Sequence, residues 1–400
     1  MTALPVLIEY ESLTVRLSDR QARQLHASGA VVVAPGAGDG EWRVTAQNLV
    51  GSLQVDDIHL LIRPKIRPDN LFLLLEVGLP ESAWRPEAAE YQTTGDLLPA
   101  VVAFFARTVE STLARGVIRS YRDEREWRVA LRGRVDLPRQ FSRAGVMIPV
   151  ACRYDDYTAD IVENRYLKVA IRRALRVPGV HAVDRRRLMQ HLVALDDVTD
   201  MAMAADQLDR LTVNRLNQHY LPALRLARLL LDNLTLVDQR GGTVASSFLL
   251  DMNKLFERFV TERLRQALVG HLEVHDQTTA HLGTGRQVRM TPDLEFRHRG
   301  RTVYVADIKY KLTADATARN SDHYQLLAYC TAFDLPEGVL IYCLKEGGRL
   351  ERSVTVRHAG KVLQTRAIDL SGPAASVDAE MALLADWLLH RSSSSWSSSP

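Results

Sequence analysis

The sequence predicts an α/β chain, α+β overall: a β-rich N-terminal domain, a mostly helical middle region, and a C-terminal domain with a central mixed sheet flanked by helices. Three observations carry this. Residues 1 to about 75 alternate apolar and polar positions, residues from Asn70 change to three- and four-residue apolar spacing, and the last third mixes both periods. With 400 residues, 46% of them hydrophobic, the chain can fill two or three packed domains, which excludes a disordered or fibrous polymer.

The segments VLIEYESLTVRL, AVVVAP, EWRVTAQNLVGSLQV and DDIHLLIRPKI read as strands separated by Gly and Asp clusters, giving a domain over 1–75. A middle domain over 76–240 follows. It opens with the helical run LLPAVVAFFARTVESTLARG, stopped by Gly116. Residues 118–150 are mostly extended, and 155–235 return to helix. A break at Gln239-Arg-Gly-Gly242 introduces the last domain, 245–388. Its predicted order is a helix over SSFLLDMNKLFERFVTERLRQAL, a strand EVHDQTT, a hairpin turning at Arg299-Gly300, a helix SDHYQLLAYCTAF and a strand GVLIYCL. The Ser-rich tail, 389–400, is low in complexity and predicted disordered.

The formal charge of +3 hides two basic stretches in the middle domain. From Arg107 to Arg143 ten arginines face five acids, and from Arg165 to Arg187 eight basic residues face Asp184 alone, so a basic face is one reading and a solvated helical surface the other. Only seven of the 51 basic residues are lysines, and two of these are Lys309 and Lys311. Arg cannot release a proton in a protein, so a Lys kept in an Arg-rich chain marks a place where a compact, tunable charge is needed. Cys152, Cys330 and Cys343 are widely spaced without metal-ligand spacing, which points to a reduced, cytoplasmic protein. No secretory signal is expected. The apolar stretch Leu221 to Val237 is too short and too charged for a membrane span.

The chemistry concentrates at Pro292-Asp293 and Asp307-Ile308-Lys309. In a strand, Asp307 and Lys309 share a face about 7 Å apart, at ~3.3 Å per residue, and Ile308 faces the core. If Leu294-Glu295-Phe296 pairs with Tyr304-Val305-Ala306 across the Arg299-Gly300 turn, Asp293 stands beside Asp307. Two carboxylates and an ammonium then meet at one end of one hairpin. Adjacent carboxylates repel, and a hard cation such as Mg²⁺ relieves that repulsion. Such a metal polarises a phosphoryl oxygen and acidifies a bound water, as phosphodiester hydrolysis requires, with Lys309 orienting that water or stabilising charge on the phosphate.

Pro292-Asp293 with Asp307-x-Lys309 resembles the PD-(D/E)xK nuclease signature. Together with Ile62-Arg-Pro-Lys-Ile66, Leu131-Arg-Gly-Arg-Val-Asp136, Glu163-Asn-Arg-Tyr-Leu-Lys168, Leu255-Phe-Glu-Arg-Phe-Val260 and Asp307-Ile-Lys-Tyr-Lys311, the chain resembles the McrC family, the nuclease subunits of McrBC-type modification-dependent restriction systems. The resemblance implies a Mg²⁺-dependent DNA endonuclease. Asp293, Asp307 and Lys309 are then catalytic, with Glu257 and the Ile308 carbonyl completing the metal site. Gln325 and Tyr329, four apart on one helical face, resemble the QxxxY helix of RecB-like nucleases and would organise the site and the DNA backbone.

The resemblance also implies partners: a McrB-like AAA+ GTPase ring, whose GTPase this chain stimulates, and double-stranded DNA containing modified cytosine. No GxxxxGK[ST] loop occurs in the sequence, so this chain is expected to bind no nucleotide itself. Arg132, Arg134, Asn164 and Arg165 stand open to three roles: stimulating the partner GTPase, contacting DNA phosphates, or holding the domain together. Two rival functions are a bridging, GTPase-activating subunit with a vestigial nuclease fold and a stand-alone RecB-like repair nuclease. Asp315 and Asp322 read as turn or capping residues.

Overall fold

The computed structural model describes residues 2–3, 5–55, 58–75, 84–143, 145–200, 208, 211–238, 244–310, 320–344 and 351–396. The break at Gln239-Arg-Gly-Gly242 lies outside them, as do Lys311 and Asp315. The chain divides into two compact units, residues 1–96 with 249–400 and residues 97–248, so the N-terminal and C-terminal segments share one unit.

In the first unit, an antiparallel sheet places Glu41–Ala46 between Ser12–Arg16 and Val31–Pro35. A helix over Asp19–Ala27, missed in the strand-like reading, packs on it. Its sequence signal is a capping box: Ser18 accepts from the Gln21 N–H while the Gln21 side chain returns to the Ser18 backbone. A second sheet has Ile58–Arg63 between the parallel strands Thr2–Ala3 and Leu7–Ile8 on one side and antiparallel Leu49–Val55 on the other. Residues 249–251, the end of the strand Val244–Asp251, also belong to this unit. Residues 246–251 are therefore strand, not the start of the predicted helix, because Asp251 caps a helix that begins at Met252.

The C-terminal sheet has six strands in the order Glu273–Asp276, Leu294–His298, Arg301–Lys309, Glu337–Leu344, Val362–Asp369 and Glu351–Thr355. Its three middle strands from Arg301–Lys309 onward are parallel, and its edges are antiparallel. Alternation separates the two faces. Val305 packs with Leu326 and Cys330 of helix Asn320–Ala332, while neighbouring Tyr304 meets Trp387 of helix Ala374–Trp396 edge-on. Helix Met252–Ala267 packs against Ala374–Trp396 and Arg301–Lys309.

The predicted disorder from 389 onward is not what the fold shows up to Trp396, where helix Ala374–Trp396 ends. Ser392 is buried, and its hydroxyl donates back to the Leu388 carbonyl, so a low-complexity serine serves a helix interior. Asn70 joins the ends of this unit, its amide donating to the carbonyls of Leu370 and Gly372 at 2.7 and 2.8 Å. Among the described residues, no helix is long and apolar enough to cross a membrane.

The second unit combines helices Leu97–Leu113, Val162–Leu175, Ala182–Ala194 and Leu221–Asn233 with an antiparallel sheet. In that sheet Val150–Thr158 lies between Ser120–Arg128 and Arg134–Val135. Residues 150–158, predicted to turn helical from 155, remain strand because each pairs with the strand Ser120–Arg128.

Candidate active site

The hairpin forms as its alternation predicts. Leu294, Glu295 and Phe296 pair with Ala306, Val305 and Tyr304, and His298 pairs with Arg301 across a two-residue loop. That loop needs two positive φ angles, supplied by Arg299 at 51° and Gly300 at 77°. Asp293, just before the first strand, therefore lies beside Asp307 near the end of the second. Its Oδ2 accepts the Ile308 N–H at 2.7 Å. Lys309 Nζ stands 2.9 Å from Asp307 Oδ2 on the shared face, and Ile308 is buried on the other.

Asp307 is fully buried, and neither carboxylate oxygen has a hydrogen-bond partner; the Lys309 contact is an ion pair without hydrogen-bond alignment. Burial, then the charge of Asp293, pushes the Asp307 carboxyl up to about 7. Burial likewise raises Asp293, against the Ile308 N–H and Lys309. For Lys309, burial pulls downward but Asp307, Asp293 and Asp322 together outweigh it, and the net shift is upward. Both partners of this ion pair shift upward, with opposite consequences for their charges. Lys309 is held charged, while the charge on Asp307 is opposed by burial and a like charge that one ammonium does not offset.

Glu257 comes from the helix Met252–Ala267 and accepts a 2.6 Å hydrogen bond from Gln277 Nε2. Burial and the charge of Asp293 raise its pKa, so this carboxyl belongs to the same electrostatic cluster. Gln277, which nothing in the sequence singles out, has φ 51° and donates its N–H to the Asp293 carbonyl at 3.3 Å. Its side chain thus holds Glu257 while its backbone holds the residue Asp293.

On the opposite side of the sheet end, Gln325 donates to the Tyr329 hydroxyl at 2.6 Å, and Tyr329 donates to the Thr291 carbonyl at 3.0 Å. The pair thus fixes the chain two residues before Asp293. Asp322 is more than a turn or cap residue. It is buried, accepts from the Tyr342 hydroxyl at 2.6 Å, and adds negative charge near Asp307 and Lys309.

The donors suit an oxygen-liking divalent cation: two adjacent carboxylates, one with both oxygens buried and without a hydrogen-bond partner, and a third carboxyl close enough to feel the charge of Asp293. Among the described residues, no group of three or more His, Cys, Asp or Glu is already drawn together as a metal cluster.

Arg132, Arg134, Asn164 and Arg165 all lie in the 97–248 unit. Asn164 is fully buried, and its amide donates to the carbonyls of Ile118 and Ala159. Arg165 holds Asp160 with two 2.6 Å hydrogen bonds. Arg132 lies over the Tyr154 ring and pairs with Asp156. Arg134 is exposed. The holding role among the three open roles is thus visible for Asn164 and Arg165.

Several comparisons bear on this arrangement. No curated protein matches the sequence. A chain in the structure described as a half-complex from a tetradecameric assembly of Thermococcus gammatolerans McrB AAA+ hexamers with bound McrC is similar in fold. Its TM-score is 0.56 at 19% identity, over 97% of this chain and all of that one. A chain of the Thermococcus gammatolerans McrBC complex gives a TM-score of 0.43 at 21% identity, covering 68% of this chain and 89% of that one. The family described as McrBC 5-methylcytosine restriction system component matches residues 44–343. That match spans 300 of the 400 residues, and the chain belongs to this family.

Proposed function

We propose that this chain is the nuclease subunit of a McrBC-type restriction complex, a Mg²⁺-dependent endodeoxyribonuclease with a PD-(D/E)xK site. It cuts DNA when assembled with a GTP-hydrolysing AAA+ ring that recognises modified cytosine, and it stimulates that ring's GTPase. The carrying observation is the convergence of Asp293, Asp307 and Lys309 at one end of a hairpin in a chain of this family. The AAA+ McrB hexamers with bound McrC in the structurally similar assembly support the choice of partner.

Asp293 and Asp307 would hold the metal, with Glu257 and the Ile308 carbonyl. Bound there, Mg²⁺ supplies Lewis-acid polarisation of the phosphate and a water of lowered pKa. The Ile308 N–H orients one Asp293 oxygen, and Gln277 keeps Glu257 near the pair. Lys309, charged beside Asp307, donates hydrogen bonds to the attacking water or to phosphate oxygens that gain charge in the transition state. Tyr329 and Gln325 hold the approach to Asp293.

The test is cleavage of modified DNA by the chain with its ring partner, GTP and Mg²⁺. Asp307→Ala is expected to lose roughly a hundredfold to a thousandfold in rate, as when one charge-stabilising group is removed from a preorganised site. Normal cutting by that variant overturns the site. In the double variant Asp293→Ala/Asp307→Ala, GTPase stimulation should survive while cleavage is lost. A wild-type chain that stimulates GTPase but cuts no DNA would establish the bridging function instead.

A further inference from the structure

The residue after Lys309 leads away from the sheet end into the N-terminal part of the same unit. Tyr310 is 2% exposed, and its hydroxyl donates to Glu9 Oε2 at 3.1 Å, across 301 positions of sequence. Glu9 directly follows the strand Leu7–Ile8 and is fully buried. Its Oε2 also accepts the Lys65 N–H at 3.4 Å, while its Oε1 is buried without a hydrogen-bond partner. A carboxyl so poorly compensated costs folding free energy.

The surroundings of Tyr310 indicate what that cost secures. Its ring lies 5.8 Å from the ring of Phe256, centre to centre. Phe256 immediately precedes Glu257, so Tyr310 is bonded to Lys309 on one side and packed against the neighbour of Glu257 on the other. The N-terminal segment grips the same helix a second time. The Asn48 amide donates to Asp251 at 2.7 Å, and the Asn48 carbonyl accepts the Met252 N–H at 2.9 Å, in the cap of the helix that carries Glu257.

We infer that Glu9 is a positioning residue for phosphodiester hydrolysis: through the Tyr310 hydroxyl it sets where Lys309 and Glu257 stand relative to Asp293 and Asp307. The inference rests on the nuclease function proposed above, and it assigns the N-terminal segment a part in the chemistry.

The experiment uses the full chain with its ring partner, GTP, Mg²⁺ and modified DNA to measure kcat and KM, and calorimetric titration of the chain with Mn²⁺ alone. Tyr310→Phe removes the hydroxyl and keeps the ring. It is expected to lower kcat about tenfold or more with KM for DNA unchanged, since small misplacements of reacting groups are expensive, and to weaken Mn²⁺ binding. Glu9→Ala should match it, and the double variant should be no worse than either single one, because both break one link. Glu9→Gln, which retains an acceptor, should recover most of the activity. If Glu9→Ala does not fold, Tyr310→Phe still reads the hydrogen bond. Wild-type kcat and Mn²⁺ affinity in Tyr310→Phe, or additive losses in the double variant, overturn the inference. With Asp307→Ala inactive, such a result leaves the nuclease function standing; if Asp307→Ala also cuts normally, both fall.

Discussion

Asp160 and Asp307, one in each unit, are both buried carboxylates with opposite electrostatics. Asp160 accepts two hydrogen bonds from Arg165, one from Arg122, and both the N–H and the hydroxyl of Thr199. Arg165, with help from Thr199 and Arg122, holds its carboxyl well below the usual carboxylate range despite burial. Asp307 has the Lys309 ammonium as its one ion-pair partner among the described residues, without an aligned hydrogen bond, sits beside Asp293 and is pushed up to about 7. A carboxylate that holds a fold has its charge fully met, whereas the one proposed to bind a metal has its charge incompletely met.

The largest effect expected from breaking this contrast is on the structural side. Asp160→Ala strips Arg165 of both its carboxylate acceptors and Arg122 of one, leaving Arg122 its Glu124 partner, and loss of one partner of a buried ion pair costs about 3–5 kcal/mol. Thermal unfolding should show a large fall in Tm, and an unchanged Tm would dissolve the comparison. For wild-type Asp160 the folded pKa is depressed, so its stabilisation is present above the unfolded value near 4 and is lost as pH falls below it.

On the chemical side, Lys309→Arg preserves charge but replaces a compact ammonium with a rigid planar fork. Cleavage is expected to fall by roughly a hundredfold, the scale of a lost acid–base or orienting group, with binding of DNA retained. Cutting at the wild-type rate would mean that the scarcity of lysine in this chain carries no message.

A smaller effect of opposite sign is expected for Asp307→Asn in the absence of divalent metal. The folded pKa of Asp307 is raised, so the protein is most stable below pH 4 with respect to this group and loses that stability as pH rises to about 7. Removing the charge should therefore raise Tm at pH 8, by on the order of 1–2 kcal/mol of stability, and change little at pH 4. A lower Tm at pH 8 would show that Lys309 already compensates Asp307.

The smallest effect sharpens the comparison at the surface. Arg153 pairs with Asp123 at 2.8 Å, Arg132 with Asp156 at 2.6 Å, and Arg128 lies near Glu126, all on or beside one antiparallel sheet. Exposed pairs of this kind contribute little. Arg153→Ala should leave Tm within experimental scatter, and a drop of several degrees would place this sheet with the Asp160 network.

These pairs also explain why the basic stretches were ambiguous in the sequence. Several of the arginines counted between Arg107 and Arg143 and between Arg165 and Arg187 meet carboxylates distant in sequence, such as Arg122 with Asp160 and Arg187 with Glu110. Counting charges along the chain cannot show which are neutralised across it.

The hairpin and its three site residues were legible because each step is local. Strand alternation puts Asp307 and Lys309 on one face, and the two-residue loop at Arg299-Gly300 returns the chain toward them, with a one-residue register shift between Phe296 and Arg297 bringing Asp293 alongside Asp307. The mixed α/β character followed from periodicity for the same reason. Other features depend on residues far apart in sequence and required the assembled fold. Gln277 reaches Glu257 and Asp293 only once the helix and sheet have packed, Asn164 and Arg165 meet their partners only inside a core, and Glu9 meets Tyr310 only when the N-terminal strands lie against the C-terminal sheet. The sequence by itself determined which groups could carry chemistry and where they meet on one hairpin. The tertiary structure decided which charges are met and which are left wanting, because burial and long-range hydrogen bonds, not residue type, set the cost of each charge.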